Sequence, residues 1–296
     1  MIPPSRAALR VTGEGLQRHS RHRTRRSIWA GWLCLSALIW LCSCATPAER
    51  IDAAAAGMDL ERGVLDGSGF MHVTYRNRVP IDPAGILHVY LDGDGSPWLN
   101  RYTIAPDPTP RKPLALALMA QDTDASLYLG RPCYHGMATA PRCHAAIWTS
   151  RRYGPEALDS LEAALRRYLQ GLTPVRLVFI GYSGGGTLAL LLAERFPETA
   201  GVVTVAGNLD PTSWTTYHGY SPLIGSLNPN TRPPLNQEVY QRHFLGTDDR
   251  LVPPSLSAPA AEAGRLRGRV LIAGFDHVCC WVEAWPRLLA SVREGL

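Results

Sequence analysis

The 296-residue chain has almost no lysine: Lys112 stands alone against 29 arginines. It has no CxxC pair and no His/Cys cluster at ligand spacing, so a zinc site is not expected. It has one long hydrophobic run, residues 28–41, so only one segment is apolar enough to meet a membrane. It also lacks a basic excess on its body. Residues 1–44 hold seven of the 30 basic residues and one of the 25 acids, which leaves 23 bases against 24 acids for the rest. The formal net charge of +5 therefore belongs to the leader, and no nucleic-acid surface is expected. With 46% hydrophobic and 19% charged residues, the remainder can bury a full core and is not a disordered or disulfide-dense chain.

In the leader, Arg18, Arg21, Arg23, Arg25 and Arg26 precede the apolar run. At about 14 residues the run suits a signal-peptide core and falls short of the ~20 residues of a spanning helix. It ends in Leu41-Cys42-Ser43-Cys44, followed by Ala45. This resembles the lipobox of bacterial lipoproteins. The resemblance implies that Cys44 is lipidated and becomes the new N-terminus. Ala45, where an aspartate would retain the protein at the inner membrane, points to the outer membrane, facing the periplasm of a bacterial envelope. A plain cleaved signal is the competing reading. The expected organisation is a signal peptide with lipobox over 1–44, a tether over 45–56, and one domain over 57–296. The oligomeric state is not legible.

Export into an oxidising compartment leaves four further cysteines to place. The expected disulfide is Cys133–Cys143, a short loop closure; Cys279 and Cys280 are adjacent and are expected as two small buried apolar residues instead.

Along the domain, apolar strands alternate with segments of helical period. Strands are expected at 70–76, 86–91, 126–129, 175–180, 201–206, 239–245 and 269–273. Helices are expected at 114–121, 155–169, 187–196 and 281–296. That alternation predicts an α/β fold: a doubly wound, mostly parallel sheet flanked by helices. Residues 208–237 break the rhythm with proline, asparagine and the aromatics Trp214, Tyr217 and Tyr220, and are expected as an irregular, lid-like insertion.

Gly181-Tyr182-Ser183-Gly184-Gly185 matches G-x-S-x-G. The pattern alone is weak, but an apolar strand leads in and an Ala/Leu-rich helix leads out. That strand-turn-helix lets a serine stand on a tight turn at the end of a sheet. A serine is a poor nucleophile without a base, and the base needs an orienting acid. Downstream, Asp249 lies in Gly246-Thr247-Asp248-Asp249-Arg250-Leu251-Val252-Pro253, and His277 follows the last strand. Each sits at the carboxyl end of an expected strand, where ligands meet an open α/β sheet. Asp248 competes with Asp249, and His218 and His243 compete with His277; His243 reads as a core histidine, His218 as part of the insertion, and Asp276 as structural.

These residues, in the order Ser, Asp, His, resemble the α/β-hydrolase family of serine hydrolases over nearly the whole mature chain. The resemblance implies Ser183 as nucleophile, His277 as base and Asp249 as its orienting acid. It also implies an oxyanion hole from the backbone amides of Gly184 and of Asp94, with Gly95 as the alternative to Asp94. The loop Asp92-Gly93-Asp94-Gly95 departs from the His-Gly that the family usually carries there. The activity implied is hydrolysis of a carboxylic ester through an acyl-enzyme, on a small-molecule or lipid ester, with no cofactor and no metal. A thioesterase or acyltransferase would use the same residues. The alternative is a non-catalytic, lipid-anchored envelope protein that keeps the fold for binding or structure.

Overall fold

The computed structural model describes residues 45–82, 85–172 and 175–296. Residues 1–44, with the expected signal peptide, lipobox and Cys44, lie outside them. The described residues open in a helix, α1 (Pro47–Gly57), not in the expected tether. The signal was present: Thr46 and Glu49 form a reciprocal capping box, Pro47 sits in the first turn, and Ile51 and Ala55 share the buried face. Reading an alanine-rich run as slack missed its capping chemistry.

The strands β1 (Glu61–Asp66) and β2 (Met71–Arg76) pair as an antiparallel hairpin. The rest alternate: β3 (Ile86–Leu91), α2 (Leu114–Met119), β4 (Ser126–Leu129), α3 (Pro155–Leu169), β5 (Arg176–Tyr182), α4 (Gly184–Ala193) and β6 (Thr199–Val205). Then come α5 (Pro211–His218), β7 (Tyr240–Gly246), α6 (Ala258–Glu262), β8 (Arg269–Ile272) and α7 (Trp281–Arg293). One eight-stranded sheet runs in the order β1-β2-β4-β3-β5-β6-β7-β8, antiparallel through β2/β4 and parallel beyond it.

The continuous apolar strands follow from burial on both faces. In β5, Leu177 and Phe179 face the core formed with α3 and α4, while Val178 and Ile180 face the core formed with α1, α2 and α7. Helix α4 is buried along its whole length, which its run of Leu and Ala allows. The insertion at 208–237 is less irregular than expected. Asp210 caps α5 by accepting from the Ser213 amide, and Asn228 and Asn230 donate to the same carboxylate, tying the rest of the segment to that cap. Among the described residues no helix is long and apolar enough to cross a membrane.

Candidate active site

Ser183 follows β5 and caps the start of α4 with φ 50° and ψ −122°, a conformation that costs a non-glycine residue energy and is held by its surroundings. The residues two positions to either side, Gly181 and Gly185, must be glycine. A Cβ at Gly181 would lie 2.2 Å from the Gly185 carbonyl oxygen, and one at Gly185 would lie 2.1 Å from that of Leu91. The turn therefore closes backbone on backbone and presents Ser183 to the cleft beside Tyr182.

His277 Nε2 lies 3.0 Å from Ser183 Oγ, and its Nδ1 lies 2.8 Å from Asp249 Oδ2. A carboxylate at Nδ1 fixes the proton there, which leaves Nε2 to accept from the serine hydroxyl. Asp249 is buried, and its other oxygen accepts from the amides of Leu251 (2.9 Å) and Val252 (2.8 Å). Asp248 is exposed and accepts only from the Thr247 hydroxyl beside it. Of the rival histidines, His243 is buried in β7 against Thr204 and pushed down to about 3 by burial. His218 lies in the cleft wall, with Nε2 donating to the Leu251 carbonyl. Asp276 turns back to accept from the amides of Val278 and Cys279.

The far side of Ser183 is formed by the loop after β3. A Cβ at Gly93 would lie 3.3 Å from Ser183 Cβ, and one at Gly184 would lie 2.2 Å from Asp94 Oδ1, so residues 93 and 94 lie against the turn. Asp94 is held by groups that sequence reasoning did not find. Arg152 donates to Oδ2 at 2.7 Å, Arg131 approaches Oδ1 at 2.9 Å, and the Tyr153 hydroxyl donates to the carboxylate at 2.7 Å. Tyr134 donates to the Asp94 carbonyl at 2.9 Å. Burial opposes ionisation of Asp94, but Arg152 and Arg131 outweigh it and hold the carboxyl below its ordinary value. Next to it, Asp92 is buried without a matched cation and pushed up to about 6, despite accepting from the Gly93 amide. Tyr182 was also missed: its hydroxyl donates to the His277 carbonyl at 3.1 Å.

Cys133 and Cys143 are bridged, in the loop that carries Arg131 and Tyr134. Cys279 and Cys280 are bridged as well, and they lie exposed and half-buried rather than in the core as expected. The expectation failed because adjacency in sequence does not reveal exposure: the segment turns at the surface between His277 and α7. Among the described residues one cluster has metal-ligand chemistry, His88, Asp122 and Asp124. There Arg293 binds both carboxylates, at 3.1 and 2.6 Å, in the place of a cation.

Ser183, His277 and the 92–95 loop form the floor of an open cleft of about 1360 Å³. One flank is the loop that follows β3, and the other is α5 with the segment after it and Leu251.

The solved structures that share this architecture agree on the fold. A serine hydrolase without a lid from Xanthomonas campestris matches with a TM-score of 0.52 at 14% identity, over 80% of this chain and 95% of its own. A bacterial membrane phospholipase A, described as a virulence factor, matches at 0.56 and 13% over 92% and 99%. An esterase/lipase from an uncultured bacterium matches at 0.52 and 18% over 86% and 92%. This is the α/β-hydrolase fold. No protein-family model matches the sequence, and no curated protein does. At such identities the likeness shows fold, and the chemistry rests on the site itself.

Proposed function

We propose that this α/β-hydrolase-fold protein is a serine hydrolase that cleaves a carboxylic ester through an acyl-enzyme. The observation that carries the reading is the hydrogen-bonded line Ser183–His277–Asp249 at a strained strand-to-helix turn on the cleft floor. Ser183 Oγ attacks the ester carbonyl while its proton passes to His277 Nε2. Asp249 stabilises the imidazolium through Nδ1, and the Leu251 and Val252 amides keep the carboxylate in place. The tetrahedral oxyanion is received by the amides of Gly184 and Asp94. The latter is pinned through its side chain and carbonyl by Arg152, Arg131, Tyr153 and Tyr134. His277 then returns the proton to the leaving alcohol. Water, deprotonated by the same nitrogen, attacks the acyl carbon and frees the acid and Ser183. Lipid attachment at Cys44 to an envelope membrane is part of the same proposal, supported by the sequence 41–45.

The test is p-nitrophenyl acetate hydrolysis. Turnover by the wild type that vanishes in Ser183→Ala supports the reading. Equal residual rates in both proteins, with the wild type folded, leave the non-catalytic alternative standing. For the anchor, palmitate labelling that persists in Cys44→Ser would remove that assignment.

A further inference from the structure

The two flanks of the cleft differ in chemistry. The loop after β3 brings Arg101, Arg111 and Lys112 to the cleft, all exposed. Among the described residues none of the three meets a carboxylate or a hydrogen-bond acceptor, and Arg101 lies only over the ring of Tyr102 beside it. Some surface arginines, such as Arg76, Arg167, Arg195 and Arg293, find carboxylates, and others, such as Arg176 and Arg287, do not among the described residues; what sets these three cations apart is that they line one cleft. The cleft's own acids cannot serve these three cations. Asp94 is matched by Arg152 and Arg131, and Asp92 is buried in the floor with its carboxylate accepting from the Gly93 amide. Asp107, the nearest acid in sequence, folds onto the amide and hydroxyl of Thr109. The chain's single lysine is one of the three, and this flank of the cleft that holds Ser183 carries three cations without a matched carboxylate among the described residues.

Trp98 and Tyr102 share that cationic flank, whereas the opposite flank is aromatic with no arginine or lysine. Trp214, His218 and Tyr220 line it and pack together, with the rings of His218 and Tyr220 stacked at 5.0 Å, and Tyr217, outside the cleft lining, packs edge-on to His218. Trp214 and His218 both donate to the Leu251 carbonyl, which fixes this wall to the loop that carries Asp249. An apolar arm of a substrate can lie along this wall without desolvating charge, whereas a cationic arm would be repelled by the other flank.

We propose that the substrate is an anionic amphiphile: an ester with one apolar arm along the Trp214–Tyr220 wall and one arm whose phosphate or carboxylate meets Arg101, Arg111 and Lys112. This rests on the serine-hydrolase reading and adds a substrate class to it. Hydrolysis breaks the acyl carbon–oxygen bond, with the water hydroxyl joining the acyl group and its proton the alcohol. The anion is a recognition handle and takes no part in the chemistry.

The experiment compares matched esters as monomers in solution. One pair is dihexanoyl phosphatidylglycerol against dihexanoyl phosphatidylcholine. The other is a p-nitrophenyl half-ester of a dicarboxylic acid against p-nitrophenyl butyrate. A preference of about tenfold or more for the anionic member in either pair is expected, carried by KM and weakened by salt. The first pair detects a lipid headgroup and the second a free carboxylate. In the triple variant Arg101→Ala/Arg111→Ala/Lys112→Ala, the anionic-to-neutral ratio is expected to fall towards one. Its melting temperature, checked alongside, should barely move, since none of the three side chains has an ion-pair or hydrogen-bond partner to lose and Arg101 loses only its exposed contact with the Tyr102 ring. No preference in either pair, or a preference that survives the triple variant, overturns the proposal. So does a preference confined to vesicles, which would indicate adsorption to a charged surface and not a subsite in the cleft. Neutral esters cleaved without anionic preference sink this inference alone, while no cleavage of any ester by the wild type sinks the hydrolase reading with it.

Discussion

The two sides of Ser183 are built in opposite ways. On the oxyanion side, residue 94 is fixed by buried charge: one carboxylate between two buried guanidiniums and a buried phenol. On the acid–base side, Asp249 is fixed by two backbone amides, and His277 sits half-buried on a surface turn with Tyr182 beneath its carbonyl. A buried ion cluster is costly to assemble and intolerant of losing one member, because the groups left behind are charged and dry. A turn held by its own amides loses little when a side chain changes. In the proposed mechanism the side that must keep a backbone amide still is thus the rigid one, and the side that passes a proton between two atoms is built from local turns.

The comparison is sharpened first by removing each side's carboxylate. Ser183→Ala, which serves both sides, should lower kcat/KM by at least about a thousandfold with stability within about 0.5 kcal/mol. Asp249→Asn should approach that loss in rate with only a modest fall in stability. Asp94→Ala should do the reverse in kind. With Arg131 and Arg152 left unpaired, about 3–5 kcal/mol of stability is expected to go. Any active fraction should lose affinity for a tetrahedral phosphonate more than it loses KM for substrate. Urea midpoints and inhibitor constants for the three variants check this. If Asp94→Ala is as stable as Asp249→Asn, the contrast between the two sides is wrong.

Acid tests the core on which both sides rest. Burial pushes His72, His135 and His243 down to about 4, 4 and 3. Each therefore contributes stability that is present above pH 6.5 and lost as pH falls towards its folded value. Asp92, pushed up to about 6, works the other way: its contribution is present in acid and lost as pH rises from about 4 to 6. Three groups outweigh one, so the melting temperature should fall from pH 7 to pH 4.5. A flat profile would mean that these histidines are not buried neutral.

A smaller effect is expected from the Cys133–Cys143 bridge. Opening its loop should cost about 2–3 kcal/mol. It should also weaken kcat/KM, because the same loop presents Arg131 and Tyr134 to residue 94. Unchanged kinetics in a folded Cys133→Ser/Cys143→Ser variant would make the bridge a staple alone. Smallest of all, Tyr182→Phe loses one hydrogen bond to the His277 carbonyl and should lower kcat by only a few-fold.

What was legible in the sequence follows the same division. Ser183, Asp249 and His277 lie at ends of apolar strands, and strand ends can be read from periodicity and turn residues. The acidic loop 92–95 was visible, but its partners were not. Arg131, Arg152 and Tyr153 lie 37 or more positions away in sequence, and in a chain where arginine is the default cation one more arginine carries no signal. Helix α1 was missed although Thr46-Pro47-Ala48-Glu49 is a capping box, because attention to hydrophobic period undervalues an alanine face. Within 208–237 the proline after Asp210 marked a helix start, yet the polar surroundings of α5 gave no apolar stripe to confirm it.

The most direct test of the central claim is covalent. A fluorophosphonate probe incubated with the native protein should add one phosphonyl group per chain, and peptide mapping should place it on Ser183. Asp249→Asn should label much more slowly, and Ser183→Ala should not label. Labelling elsewhere, or equal labelling of Ser183→Ala, would contradict the assignment of Ser183 as an activated nucleophile.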